Sequence, residues 1–271
     1  MSNQLAKATF EGDLKKVKFF VEKRMNPDCR QPGPWNAFGS TPLIIASRKN
    51  RREIAKVLIE AGADVNLSDC SQRDDIFDAA TNGETSPIPA GINGETPLIE
   101  ASRYGHVEMV SLLLNADADI NGRDTFNQTA LMIASMFGQI EVVKLLLTSG
   151  ARVNKRTRDC RDSALMYATA GGHIEIVKLL IAAGAKVNVT NKSGYTPLTN
   201  ALNWKNIDMV NVLLDAGATA TKEQLMYAIV CNKDFSSNIL LKMGVWVEMD
   251  EMFEFAKEHW YLYEICHKLP A

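Results

Sequence analysis

The sequence predicts an all-α fold, a single elongated solenoid of about eight stacked helix-turn-helix units spanning residues 1–271. Three observations predict it. A Leu-x-x-Ala pair recurs as Leu5/Ala8, Leu43/Ala46, Leu98/Ala101, Leu131/Ala134, Leu165/Ala168, Leu198/Ala201 and Leu225/Ala228, with Phe253/Ala256 as a degenerate eighth. The steps are 38, 55, 33, 34, 33, 27 and 28 residues, and a period near 33 marks a stacked array rather than two compact domains. Within a period the apolar residues follow helical spacing, and no long run alternates as a strand would.

The third copy shows how each element is written. Thr96-Pro97 opens a helix, because a hydroxyl caps free amides and proline's fixed φ suits a first turn. Leu98, Ala101 and Ser102 form a short helix of small side chains, and Gly105 ends it. Val107, Val110, Leu113 and Leu114 follow at 3.6-residue spacing as a second, more apolar helix. Asp117-Ala118-Asp119-Ile120-Asn121 then stops the hairpin and turns the chain outward. The neighbouring copies repeat the stop as Gly62-Ala63-Asp64-Val65-Asn66, Gly150-Ala151-Arg152-Val153-Asn154 and Gly184-Ala185-Lys186-Val187-Asn188. Five extra residues near Gln31–Trp35 interrupt the phase, as do 22 at about 69–90. The longer insertion holds Asp69, Asp74, Asp75, Asp78 and Glu84 against one Arg73, a local charge of −4, and is either functional or disordered.

The text from Thr96 to Asn121, echoed from Thr41, Thr129, Ser163 and Thr196, resembles the ankyrin repeat. The resemblance covers most of the chain and implies antiparallel helix pairs in a curved stack, with β-hairpin fingers projecting from it. Three departures stand out. The histidine common after Thr-Pro-Leu is replaced by Ile44, Ile99, Met132, Met166 and Thr199, so its bracing hydrogen bonds are expected to be missing throughout. Arg24 occupies a post-helix glycine position, and the last two copies lack fingers, so both ends read as caps.

Composition and motifs exclude much. Apolar residues at 46% and charged residues at 23% describe a chain with a real core, and a net charge of −2 is too balanced to hold nucleic acid by overall field. No apolar run approaches the ~20 residues of a membrane span, and the first 22 residues do not read as a signal peptide. Cys29, Cys70, Cys160, Cys231 and Cys266 fit neither a disulfide framework nor a zinc pattern, so reduced thiols and a cytoplasmic setting are expected, a host cytosol or nucleus remaining open. His106 and His173 lie 67 residues apart, two periods, and read as parts of the repeat. His259 and His267 lack any metal-ligand spacing, and no phosphate-binding glycine motif follows a strand. No enzyme, cofactor or metal is expected.

What remains is surface. Six residues after the marker leucine stand Lys49, Tyr104, Phe137, Gly171 and Trp204, and five after it Arg48, Arg103, Met136, Ala170 and Asn203. At fingertip offsets stand Phe126 and Tyr195. Large aromatics where the geometry of a repeat array leaves them exposed point to binding. The expected function is a non-catalytic protein–protein interaction scaffold, a monomer gripping a partner peptide or domain in its concave groove. Arg48, Lys49 and Arg103 would supply charge, and Tyr104, Phe126, Met136, Phe137, Tyr195 and Trp204 anchors. Gly171 is expected to leave a notch in the row of rings. The alternative is a regulatory sensor or inhibitor whose acidic insertion, folding onto the Arg48–Arg52 run, blocks that groove.

Overall fold

The computed structural model describes residues 2–30, 40–69, 94–204, 206–219 and 221. They form twelve helices in six successive hairpins. These are α1 (Ser2–Glu11) with α2 (Leu14–Glu22), α3 (Pro42–Arg48) with α4 (Arg52–Glu60), and α5 (Pro97–Arg103) with α6 (Val107–Asn115). They continue as α7 (Ala130–Met136) with α8 (Ile140–Thr148), α9 (Ala164–Ala170) with α10 (Ile174–Ala182), and α11 (Pro197–Asn203) with α12 (Ile207–Asp215). Copies seven and eight lie outside the described residues, as do the insertion beyond Asp69, Gln31–Trp35, Cys70, Cys231, Cys266, His259 and His267.

The first helices of copies two to six start where a hydroxyl predicts. Thr41, Thr96, Thr129, Ser163 and Thr196 are extended N-caps whose side-chain oxygens accept the N–H three residues on. Pro42, Pro97 and Pro197 occupy the first turn. The residues replacing the family histidine became core instead: Ile44, Ile99, Met132 and Met166 are fully buried. The sixth copy departs from the expected loss of bracing, because the Thr196 N–H donates to Thr199 Oγ1 at 2.6 Å and closes a reciprocal cap.

Termination is equally local. Gly105 and Gly138 sit at φ 71° and 73°, a region open to glycine. A Cβ on Gly138 would also stand 2.6 Å from the His173 ring, so both the backbone and the crowding require glycine there. Arg24, at the expected glycine site, does adopt the left-handed conformation, at φ 55°.

The second helices bury one repeating triad: Ile54, Ala55 and Leu58, then Met109, Val110 and Leu113, Val142, Val143 and Leu146, Ile176, Val177 and Leu180, and Met209, Val210 and Leu213. The marker alanines Ala46, Ala101, Ala134, Ala168 and Ala201 are fully buried, and their small size lets each first helix lie against the next in the order α1, α3, α5, α7, α9, α11. One continuous core results. It is the assembly an array needs, since no single hairpin can bury its own apolar face.

A ladder of asparagines ties the turns between repeats. Asn66, Asn121, Asn154 and Asn188 each accept, through Oδ1, the backbone N–H of Asp119, Arg152, Lys186 and Thr219 in the following copy, at 2.7–2.9 Å. The Asn154 and Asn188 Nδ2 groups donate to the Gly184 and Gly217 carbonyls. The asparagine of the stop sequence therefore links repeats as well as turning the chain. The projecting fingers are held by side chains more than by strand pairing. Asp124 Oδ1 accepts from the Phe126 and Gln128 N–H groups, and Asn191 Oδ1 from Ser193 and Tyr195. Among the described residues the only β pairing is a bridge between Arg123 and Thr129. The expected β-hairpins are thus tight turns with almost no ladder.

Candidate functional site

A constant offset from the marker leucine becomes a constant place in the fold. Lys49, Tyr104, Phe137, Gly171 and Trp204 are the residues closing α3, α5, α7, α9 and α11. A side chain one residue past a helix end, just before a left-handed turn, has no helix beside it to cover it. Tyr104, Phe137 and Trp204 are 49%, 44% and 70% exposed, and Met136, the last residue of α7, is exposed beside Phe137. Phe126 and Tyr195 are exposed on two fingers separated by one copy. The six apolar residues expected at the surface are all there.

The row is not open side chain throughout. The Tyr104 ring stacks on His106 with centroids 5.9 Å apart, and the Arg103 guanidinium lies over Phe137 at 5.2 Å. His106 and His173 also brace the stack. Their Nε2 atoms lie 3.3 Å from the Arg48 carbonyl and 3.2 Å from the Met136 carbonyl, while Gln139 Nε2 donates to the Arg103 carbonyl at 3.0 Å. Each copy thereby satisfies a helix-end carbonyl of the copy before it, a group α-helix geometry leaves unpaired. The histidines serve the repeat, as expected.

Two expectations need correction. Gly171 is not an empty notch: a Cβ there would meet the His173 ring at 2.6 Å, and its missing side chain is what lets His173 reach the Met136 carbonyl. Nor are Arg48 and Arg103 open charges. Both Arg48 Nε and Nη2 donate to Oε1 of Glu100, at 3.1 and 2.6 Å, and Glu100 is a buried α5 residue only 1% exposed. Arg103 pairs with buried Glu95. Of the three cations, Lys49 alone carries no ion pair among the described residues, and its ammonium lies over Phe10 at 4.9 Å.

These pairs form the centre of a buried charged cluster at the root of the long insertion. Asp69 Oδ1 accepts the Glu95 N–H at 2.7 Å, and Arg30 Nη1 donates to the Asp69 carbonyl. Desolvation pushes the Asp69 carboxyl up to about 6, with Arg48 pulling it back and Glu100 adding to the rise. The cluster joins the second and third copies. The basic residues of the Arg48–Arg52 run therefore divide into a structural brace and exposed cations.

The sequence reading overlooked a second charged surface. Arg152, Lys155, Arg156, Arg158 and Arg161 fall within ten residues that hold a single acid, Asp159. That density was legible, but it lies outside the offsets from the marker leucine that pick out the aromatic residues. Among the described residues no group of His, Cys, Asp or Glu is arranged to hold a metal ion, and no helix is long and apolar enough to cross a membrane. Cys29 is buried, which pushes its thiol up, and Cys160 is exposed.

Comparison with known proteins agrees with this architecture. A family model described as ankyrin repeats (3 copies) matches residues 3–69, 70–157 and 155–224. The chain is 32% identical over 103 residues to neurogenic locus notch homolog protein 1 of Xenopus laevis, a match covering 34% of this chain and 4% of that protein. It is 28% identical over 124 residues to a putative ankyrin repeat protein of Rickettsia bellii, covering 45% of this chain and 60% of the relative. A probable E3 ubiquitin-protein ligase of Oryza sativa subsp. japonica is 26% identical over 126 residues, covering 46% and 20%. The chain thus matches 4–60% of the length of these relatives.

Proposed function

The chain belongs to the ankyrin-repeat family, and we propose that it is a non-catalytic interaction module holding a partner protein along the ends of its first helices and its fingers. The observation that carries the reading is the row of exposed rings Tyr104, Phe137 and Trp204, set by one offset at the close of α5, α7 and α11. Rings of this size offer large contact area at little conformational cost and dominate the energetics of interfaces. Met136, Phe126 and Tyr195 extend the apolar surface, and Lys49 supplies charge at one end. The braced Arg48 and Arg103 act indirectly, by holding the copies that present the rings. The exposed, unpaired Cys160 favours a reducing cytosol, and the module works as a single chain.

The test compares proteins captured from lysate by the wild-type chain and by the Tyr104→Ala/Phe137→Ala/Trp204→Ala variant. The reading requires a species held by the first and lost by the second while both remain folded by circular dichroism. Equal capture by the two would contradict it.

A further inference from the structure

The turns of three consecutive copies, residues 119–128, 152–162 and 186–195, carry eight Lys or Arg and four Asp, a net of +4 in a chain whose total is −2. The excess is not neutralised internally. Arg123, Arg152, Lys155, Arg158, Arg161, Lys186 and Lys192 form no ion pair with any described residue, and Arg123, Arg152, Arg158, Arg161, Lys186 and Lys192 are exposed. Nor does the repeat itself require cations there. One register position reads Asp64, Asp119, Arg152, Lys186 along the stack, so the edge changes sign between the third and fourth turns.

Hydrogen bonds between copies bring these groups into one surface. The Arg158 N–H donates to the Phe126 carbonyl at 3.1 Å, and the Lys192 N–H to the Cys160 carbonyl at 2.8 Å, so three fingers lie side by side. Arg156 donates to the Arg161 carbonyl at 2.8 Å and also bonds the Thr190 carbonyl, locking the middle finger to the next. The field is strong enough to act on its own members: Arg123, then burial, then Arg152 lower the Lys155 ammonium from its ordinary value. Exposed Phe126 and Tyr195 stand within this cationic surface.

We propose that this finger surface docks an extended acidic segment of a partner protein, with Asp and Glu carboxylates over Arg123, Arg158, Arg161 and Lys192 and an apolar side chain against Phe126 or Tyr195. The inference rests on the interaction-module reading above and specifies the partner's chemistry. Charge complementarity selects the occupant. Guanidinium groups match planar carboxylates bidentately, and like-charged surfaces raise the on-rate of an opposite partner. A nucleic acid fits less well. It presents a phosphate about every 3.4 Å along each strand, and the interleaved exposed Asp119 and Asp159 would repel part of that track. A peptide with spaced carboxylates avoids them.

The experiment selects a displayed library of random 15-residue peptides against the full chain at physiological salt, and uses a 30-nucleotide single-stranded DNA as the competing class. Selected peptides should be enriched in Asp and Glu and carry a conserved apolar residue. Affinity should fall about tenfold in the Arg158→Glu/Arg161→Glu variant and more steeply with salt in the wild type than in that variant. The melting temperature should not move. Neutral or basic winners, no selection above background, or DNA bound more tightly than any acidic peptide would overturn the proposal. The Trp204→Ala variant separates the two readings. Neutral peptides that lose affinity in it leave the aromatic row intact and remove only the acidic partner. Acidic peptides that ignore it but lose affinity with Arg158→Glu/Arg161→Glu confirm the finger surface and remove the row.

Discussion

Removing Arg48 tests the buried brace between the second and third copies. Arg48→Met takes two hydrogen bonds from Glu100 Oε1 and leaves a carboxylate that is 1% exposed with no partner, its Oε2 already having none among the described residues. Stranding a buried charge in this way typically costs about 3–5 kcal/mol. The Arg48 side chain is partly solvated, so the lower end, about 3 kcal/mol, is expected. At roughly 2–4 °C per kcal/mol for a chain of this size, the melting temperature should fall by about 6–12 °C. The lost pair bridges neighbouring repeats, and array stability is a sum of repeat and interface contributions, so the transition should also broaden. The second variant decides the cause. Arg48→Met/Glu100→Leu replaces the pair with apolar groups and should recover most of the loss, because an ion pair exchanged for packing is often neutral. Thermal and urea unfolding followed by circular dichroism read both. A single-variant cost below about 1 kcal/mol, the value of an exposed pair, would refute the assigned burial, and a double variant no better than the single would refute the stranded charge as its cause.

Two further outcomes follow from the same geometry. Burial raises the Asp69 carboxyl from its ordinary 3.8 to about 6, so its protonated form favours the fold. That contribution is fully present below 3.8 and lost as pH rises through about 6. Asp69→Asn should therefore stabilise the chain at pH 7 by on the order of 1–3 kcal/mol and leave it unchanged near pH 4, in urea titrations at both values; destabilisation at pH 7 would mean the arginines need the carboxylate. Asn154→Ala removes two bonds between the turns of adjacent copies and should cost about 1–2 kcal/mol, whereas Lys178→Ala, at an exposed position on α10, serves as the control in the same melts.

What the sequence made legible was local. A hydroxyl before a proline and a Val-Leu triad at 3.6 spacing depend on residues within one turn, so α3, α5 and α11 start where Thr41, Thr96 and Thr196 say they should. Exposure of Tyr104, Phe137 and Trp204 followed from their shared offset. What was missed depends on partners in another copy. Glu100 lies 52 residues from Arg48, and only stacking shows that the arginine is committed to it. His173 fills the space at Gly171 because its ring turns back to the Met136 carbonyl of the previous repeat, a direction that no spacing encodes. The basic fingers were countable in the chain, but their union into one surface depends on the bonds linking Arg158 to Phe126 and Lys192 to Cys160.

Trp204 decides whether the exposed rings serve a partner or the core. It is 70% exposed, so Trp204→Ala uncovers little buried surface. Its cost in folding should stay within about 0.5 kcal/mol, the range of ordinary surface changes. Truncating an anchor at an interface costs about 2 kcal/mol or more, roughly thirtyfold in affinity. Melting temperature and affinity for the captured partner, measured on one preparation of Trp204→Ala, should therefore separate, with the first nearly unchanged and the second lowered at least thirtyfold. A large fall in melting temperature with affinity unchanged would make the ring part of the core and contradict the account.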